Sequence, residues 1–194
     1  MKKLNKVPNS FTLGFTIIEL MVTLAVLSIV LAVGVPAFQS SIENGRLTSQ
    51  INQTIGLISY ARSEAAKRTG TTITVCGSSD EATCNTSSWE SGWLVMSDVN
   101  ADRVLDGGDE LLRVGSSLTG GNTLRTVGFF NAGFVQFDSS GAIGASGTFV
   151  LCDDRGAAEA KGVVLSIVGQ SRSAGDEDGN SIVNNHAGAD VTCP

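Results

Sequence analysis

The chain has 194 residues, of which 42% are apolar, enough for one domain of ordinary size with a packed core and additional segments. Its net charge is -6, and the cations Lys2, Lys3 and Lys6 sit within residues 1–14, where no acid lies, so the remainder is more acidic than the whole. This balance excludes a general nucleic-acid binder, which needs clustered Lys and Arg to neutralise phosphates. The 23 glycines and few aromatics suit a β-rich body with many turns.

Residues 1–14 are basic and then polar, with Pro8, Asn9 and Ser10 ahead of Thr12-Leu13-Gly14. From Phe15 to Val35 the only charge is Glu19, over a run of about 20 residues, the length that crosses a bilayer core as a helix. An ordinary secretory signal puts its cleavage site after the apolar run. Here the Gly14-Phe15 junction precedes the run, so cleavage there removes a polar leader and leaves the helix on the mature chain. The segment Gly14-Phe15-Thr16-Ile17-Ile18-Glu19-Leu20 resembles the processing signal of type IV pilins and type II secretion pseudopilins. The resemblance implies cleavage between Gly14 and Phe15 by a prepilin peptidase, and N-methylation of Phe15. The leader lysines fit the positive-inside rule, which places the leader in the cytoplasm and the body in the periplasm or outside the cell; the resemblance implies a single-pass protein of the bacterial inner membrane.

Glu19 is a carboxylate inside an apolar span, which costs a few kcal/mol or more and therefore demands a partner or a task. The new α-amino group of Phe15 is one helical turn away, and a neighbouring subunit's amine is the other candidate. The resemblance implies that Glu19 pairs with the amino terminus of an adjacent subunit during assembly.

Pro36 follows the apolar run and, lacking an N–H, predicts a kink. Beyond it, Ile42, Leu47, Ile51, Ile55, Ile58 and Ala65 recur at near-helical spacing between polar residues. One helix is expected from Phe15 to Arg68, ended by Gly70, which divides into a membrane or filament-core part (15–37) and an amphipathic part (38–69). Residues 70–194 are expected to form a β-rich domain. Strands are predicted at Thr72–Cys76, Gly92–Met96, Glu110–Val114, Thr123–Val127, Phe134–Phe137, Thr148–Cys152 and Gly162–Val168, separated by Gly, Ser, Asn and Asp clusters. The fold class is α+β, a long helix laid on antiparallel sheet, with a polar loop from Ser173 to Asp190.

All four cysteines, Cys76, Cys84, Cys152 and Cys193, follow the apolar segment, and an even number beyond a membrane reads as two disulfides. Zinc is the rival, but no pair has C-x-x-C spacing and His186 is the sole histidine. Of the three pairings, Cys76 with Cys84 and Cys152 with Cys193 are favoured, the first closing a short loop and the second tying down the tail.

Several segments match one branch of the pilin superfamily: Ala61-Arg62-Ser63-Glu64-Ala65, Trp89-x-x-Gly92-Trp93, Asp109-Glu110-Leu111-Leu112-Arg113, Phe149-x-Leu151-Cys152-Asp153-x-Arg155-Gly156, and Ser166-x-x-Gly169-x-x-Arg172. Together they resemble the GspH/FimT family, and the resemblance implies the type IV pilin fold. It also implies a non-enzymatic minor subunit in a filament of other minor and major pilins or pseudopilins. The expected role is a minor pilin of the type IV pilus; the alternatives are an H-type minor pseudopilin of type II secretion and a pilus-tip module that binds DNA.

Two stretches are site-like. Asp98, Asn100 and Asp102, with Asp106 following, copy the alternate-oxygen spacing of a calcium loop, but Arg103 stands where the turn glycine belongs, so an acidic hairpin loop is preferred over a calcium site. Gly169-Gln170-Ser171-Arg172 resembles the Gly-Arg-x-Arg of DNA-binding pilins in one arginine, Arg172, and Asp176-Glu177-Asp178 would repel phosphate. Trp89, Trp93, Phe129, Phe130, Phe134 and Phe137 are expected in the core. No catalytic set is visible, and no cofactor other than calcium is suggested.

Overall fold

The computed structural model describes residues 14–194, so the leader other than Gly14 lies outside the described residues. Helix α1 spans Ile17–Lys67 and runs through Pro36. It starts two residues later than expected because Thr16 is its N-cap: the Thr16 hydroxyl accepts the Glu19 N–H at 3.2 Å and its carbonyl accepts the Leu20 N–H at 3.1 Å. At the other end the Arg68 N–H turns back to the Ala65 carbonyl, and Gly70 takes a φ of 83°, which favours glycine.

The chain divides into two compact units, residues up to Glu43 and residues from Asn44. In the first, an 18-residue window of α1 reaches a mean hydropathy of 2.5 and none of it is buried, so the helix is long and apolar enough to cross a membrane. In the second, α1 becomes amphipathic. Leu47, Ile51, Leu57, Ile58, Ala61 and Ala65 are buried, each large side chain contributing roughly 1.5–3 kcal/mol relative to exposure.

The second unit adds two four-stranded antiparallel sheets. The first has the order β3-β2-β1-β5, with β1 Thr72–Gly77, β2 Trp93–Asp98, β3 Glu110–Gly115 and β5 Phe134–Phe137. The second has the order β4-β6-β7-β8, with β4 Thr123–Val127, β6 Gly147–Cys152, β7 Lys161–Leu165 and β8 Ser171–Ser173. Alternate residues of both sheets meet the helix in one core: Ile73 and Val75 of β1, Val95 of β2, Phe149 and Leu151 of β6, Val163 and Leu165 of β7. Trp89 is buried between them, edge-on to Phe149 at 5.0 Å, and its indole N–H donates to the Ala132 carbonyl.

The opposite faces are covered as well. Cys76, Leu94 and Met96 pack with Cys84, Leu105 and Phe134, and Val150, Cys152 and Ala160 pack with Val191, Ile182, Val183 and Cys193. Disulfides Cys76–Cys84 and Cys152–Cys193 anchor those two covers. The long helix on antiparallel sheets is the α+β architecture expected from the sequence.

Two expectations are corrected. Gly162–Val168 is not one strand: β7 ends at Leu165, the Gly169 N–H closes a turn on the Ser166 carbonyl at 2.8 Å, and β8 returns from Ser171. Ile167 and Val168 look like strand residues but sit exposed on that turn. Phe130, expected in the core, is 85% exposed, because it lies in the turn between β4 and β5; the other five aromatics are buried or half-buried.

Candidate functional site

At the N-terminal junction Gly14 and Phe15 precede the helix and both are exposed. The sequence Thr16-Ile17-Ile18-Glu19 has the Ser/Thr-x-x-Glu form of a helix start, a local signal that the hydropathy reading missed. It fixes Glu19 in the first turn of α1, within reach of the favourable positive end of the helix dipole. The apolar side chains that follow, from Ile17 through Phe38, are exposed in the single chain. A stripe of that size is not stable against water and marks a surface for lipid or for other apolar helices.

The acidic segment is the loop between β2 and β3. Asp98, Asp102 and Asp109 bring carboxylate oxygens within 4.8 Å of one another. Asp106, which the spacing suggested, is not in that group, and Asp109 takes the place; the Gly107-Gly108 turn carries it back. Asp98 is fully buried. One of its oxygens accepts the Asp102 N–H, and the other accepts the Arg103 N–H and the Thr74 hydroxyl. Asp102 accepts from the Val104 N–H and the Asn100 amide, and Asp109 from the N–H groups of Val99 and Asp106. Every oxygen of the three therefore accepts a hydrogen bond from the loop itself. These bonds hold Ala101 and Arg103 at positive φ, 60° and 69°, a conformation that costs free energy in a non-glycine residue.

This loop is knitted to the Cys76–Cys84 loop by the Cys84 N–H on the Arg103 carbonyl and the Leu105 N–H on the Ala82 carbonyl. Within the disulfide loop, the Thr83 hydroxyl, with the N–H groups of Thr83 and Ala82, holds the Asp80 carboxyl well below the usual range. A cleft of about 370 Å³ lies between the two loops, with the Arg103 guanidinium 4.8 Å over the Phe134 ring at its side.

Arg172 is on β8, exposed, and paired with Glu177 at 3.3 Å. The acid run that sequence reading marked as repelling phosphate thus supplies the arginine's own partner. His186 is not isolated: its backbone N–H donates to the Thr148 hydroxyl at 2.7 Å, and its ring lies over Gly128, where a Cβ would meet the ring at 2.0 Å. It is a packing residue of the tail.

Residues 50–169 match the family described as type II transport protein GspH. Two crystal forms of the type IV minor pilin FimU of Pseudomonas aeruginosa share the fold. One is 20% identical, covering 69% of this chain and 91% of that one with a TM-score of 0.53; the other is 19% identical, covering 66% and 92% with a TM-score of 0.51. No curated protein matches the chain.

Proposed function

The chain belongs to the GspH family and is a type IV pilin-like structural subunit, and from that premise we propose that it works as a minor pilin that helps to initiate filament assembly in type IV pilus biogenesis. The observation that carries this reading is the exposed apolar run of α1 with Glu19 as its single charge. Before assembly, the run is the single-pass anchor in the inner membrane, with the β domain on the periplasmic side. After a prepilin peptidase cuts between Gly14 and Phe15, the same surface packs among the apolar helices of neighbouring subunits. Glu19 then pairs with the amino terminus of an adjacent subunit, offsetting the cost of a carboxylate in an apolar medium. The fold shared with a protein described as a minor pilin supports the pilus reading.

The test is Glu19→Ala. Leader cleavage is expected to persist, since the junction is intact, while the amount of chain recovered in sheared filaments falls about tenfold, as loss of a desolvated ion pair worth over 1 kcal/mol requires. Normal incorporation would sink the proposal.

The second reading is a minor pseudopilin of type II secretion, which the family's description favours. A strain lacking the gene separates the two. Loss of twitching with normal exoprotein release supports the pilus, and the reverse result supports secretion. DNA capture gains no support from Arg172, whose charge is already paired and whose neighbours are acidic.

A further inference from the structure

Six arginines among the described residues have evident intramolecular partners. Arg68, Arg125, Arg155 and Arg172 pair with Glu110, Glu90, Asp153 and Glu177, and Arg103 and Arg113 lie over the rings of Phe134 and Tyr60. Of the other two, Arg46 lies against Gly120, and Arg62 has neither a carboxylate nor a ring among the described residues, yet its side chain is held in place. Gly141 and Gly169 sit at φ of 75° and 72° against its stem. A Cβ on Gly141 would lie 3.0 Å from the Arg62 Cγ, and one on Gly169 would lie 3.2 Å from its Cδ. Two glycine backbones therefore form a slot for the stem, and half-buried Arg62 lines a polar groove of about 470 Å³.

The groove is also lined by Ser59, Ser63, Ser140, Gln170 and Ser171. The Ser63 and Ser140 hydroxyls donate to the Tyr60 carbonyl and to Asp138. The side chains of Ser59, Gln170 and Ser171 make no hydrogen bond with other described residues, and no polar side-chain atom there is buried without a partner, so their donors face open solvent. A guanidinium fork with hydroxyl and amide donors beside it, the stem already ordered, matches a planar two-oxygen anion. Preordering lowers the entropy lost when that anion binds.

We propose that Arg62 is the docking point for a carboxylate, an Asp or Glu side chain presented by an adjoining pilin-like subunit. The inference rests on the subunit reading above and names one contact within it. A nucleic-acid backbone fits less well. Phosphate binding gains by neutralising several charges along a track, but this groove holds one cation, Arg172 nearby is paired, and Asp176 and Asp178 follow on a chain of net charge -6.

The experiment uses the full chain in host membranes with a photo-crosslinking benzoyl-phenylalanine at Ala66, an exposed residue that lines the groove and supplies no donor. Crosslinked peptides are mapped by mass spectrometry in wild type, Arg62→Glu, Arg62→Gln and Arg62→Lys. The expected result is a crosslink to an Asp- or Glu-containing segment of another subunit. Its yield should fall about tenfold with Arg62→Glu, less with Arg62→Lys, and return when the partner's acid is changed to Arg in the Arg62→Glu background. Arg62→Gln keeps the stem and an amide donor, and carries the test should the charge reversal not fold, as judged by disulfide formation and melting of the purified chain. A yield indifferent to Arg62, or an Arg62-dependent crosslink to nucleic acid, overturns the proposal. Should the chain be in filaments but the crosslink ignore Arg62, only the docking site fails; should the chain be absent from filaments, the subunit reading fails with it.

Discussion

The two disulfides should differ in what they contribute, and the difference can be worked out in advance. Their sequence separations are 8 for Cys76–Cys84 and 41 for Cys152–Cys193. The chain-entropy relation for cross-linked unfolded chains gives about 2.5 kcal/mol for the short loop and about 4 kcal/mol for the long one. Replacing each pair by Ala keeps the buried faces apolar and avoids a new hydroxyl in the Val150–Val191 cluster. With about 2–4 °C per kcal/mol for a domain of this size, the Cys76/Cys84 double variant should melt roughly 5–10 °C below wild type and the Cys152/Cys193 variant roughly 8–16 °C below. The assay is thermal unfolding of the full chain in detergent, followed by the near-ultraviolet signal of Trp89 and Trp93. The tail has other ties: the Val191 N–H on the Val183 carbonyl, the Asn184 amide on Asp190, and the His186 N–H on Thr148. It should therefore stay docked in the native state without the bridge, and the amides of Asn184 and Val191 should keep their hydrogen-exchange protection at 25 °C. A larger loss from the short bridge, or a tail that goes random-coil while the core is unmoved, would refute an unfolded-state origin for the stabilisation.

The Asp98 hub gives a second test: Asp98→Asn leaves one oxygen where two accept three bonds, and a loss of about 1–3 kcal/mol is expected in denaturant melts. Since the oxygens of Asp98, Asp102 and Asp109 already accept hydrogen bonds that fix the loop, calcium at about 1 mM should move the melting temperature by no more than about 1 °C; a rise of several degrees would show that the loop admits the ion. Asp80, held by Thr83, and Asp138, held by Ser140, have carboxyls lowered in the fold. Their contribution is therefore complete above the unfolded Asp value of about 3.9 and is lost as pH falls through their folded values, so stability from them is flat between about pH 5 and 8. Asp138→Asn should make the acid-side fall in melting temperature shallower, and an unchanged slope would contradict the assignment. Gly169→Ala would place a Cβ 1.9 Å from the Gly141 carbonyl oxygen at a φ of 72° and should cost more than about 2 kcal/mol. Gly175→Ala, with open space around it, is the near-neutral control.

What the sequence disclosed follows from how local its causes are. The helix and strands β1 to β7 are readable to within a few residues, and β8 is not, because capping, hydropathy period and Gly or Asn turns act over one or two turns of chain while three polar residues carry no such signal. Thr16 shows the same locality: its Thr-x-x-Glu signal was present, and attention to hydropathy alone moved the helix start back to Phe15. The turn at Ser166–Gly169 was missed because Ile167 and Val168 have strand propensity, and only the reversal into β8 gives them an exposed place. Phe130 was misjudged for the same reason: residue type predicts burial on average, while its position in a turn decides it here.

The parts of the site that stayed hidden depend on residues far apart in sequence. Asp109 joins Asp98 only because β3 returns beside β2. The outer faces make the point most strongly. Thr72-Ile73-Thr74-Val75-Cys76 alternates as though one side faced water, yet Thr74 and Cys76 are both fully buried. Thr74 gives its hydroxyl to Asp98 and accepts from the Gln136 amide; Cys76 ties down the loop that covers both. A half-polar strand can be buried on both sides when its polar groups are hydrogen-bonded and a disulfide holds the cover, because the desolvation cost of each hydroxyl is then offset by its bonds. The same arrangement recurs on the second sheet, where Thr148 takes the His186 N–H beneath a cover held by Cys152–Cys193. The cysteines thus have a role that spacing alone did not reveal: each bridge seals one sheet. The helix-facing sides form the core, and exposed groups such as the Arg62 groove and the apolar run of α1 are left to meet other subunits.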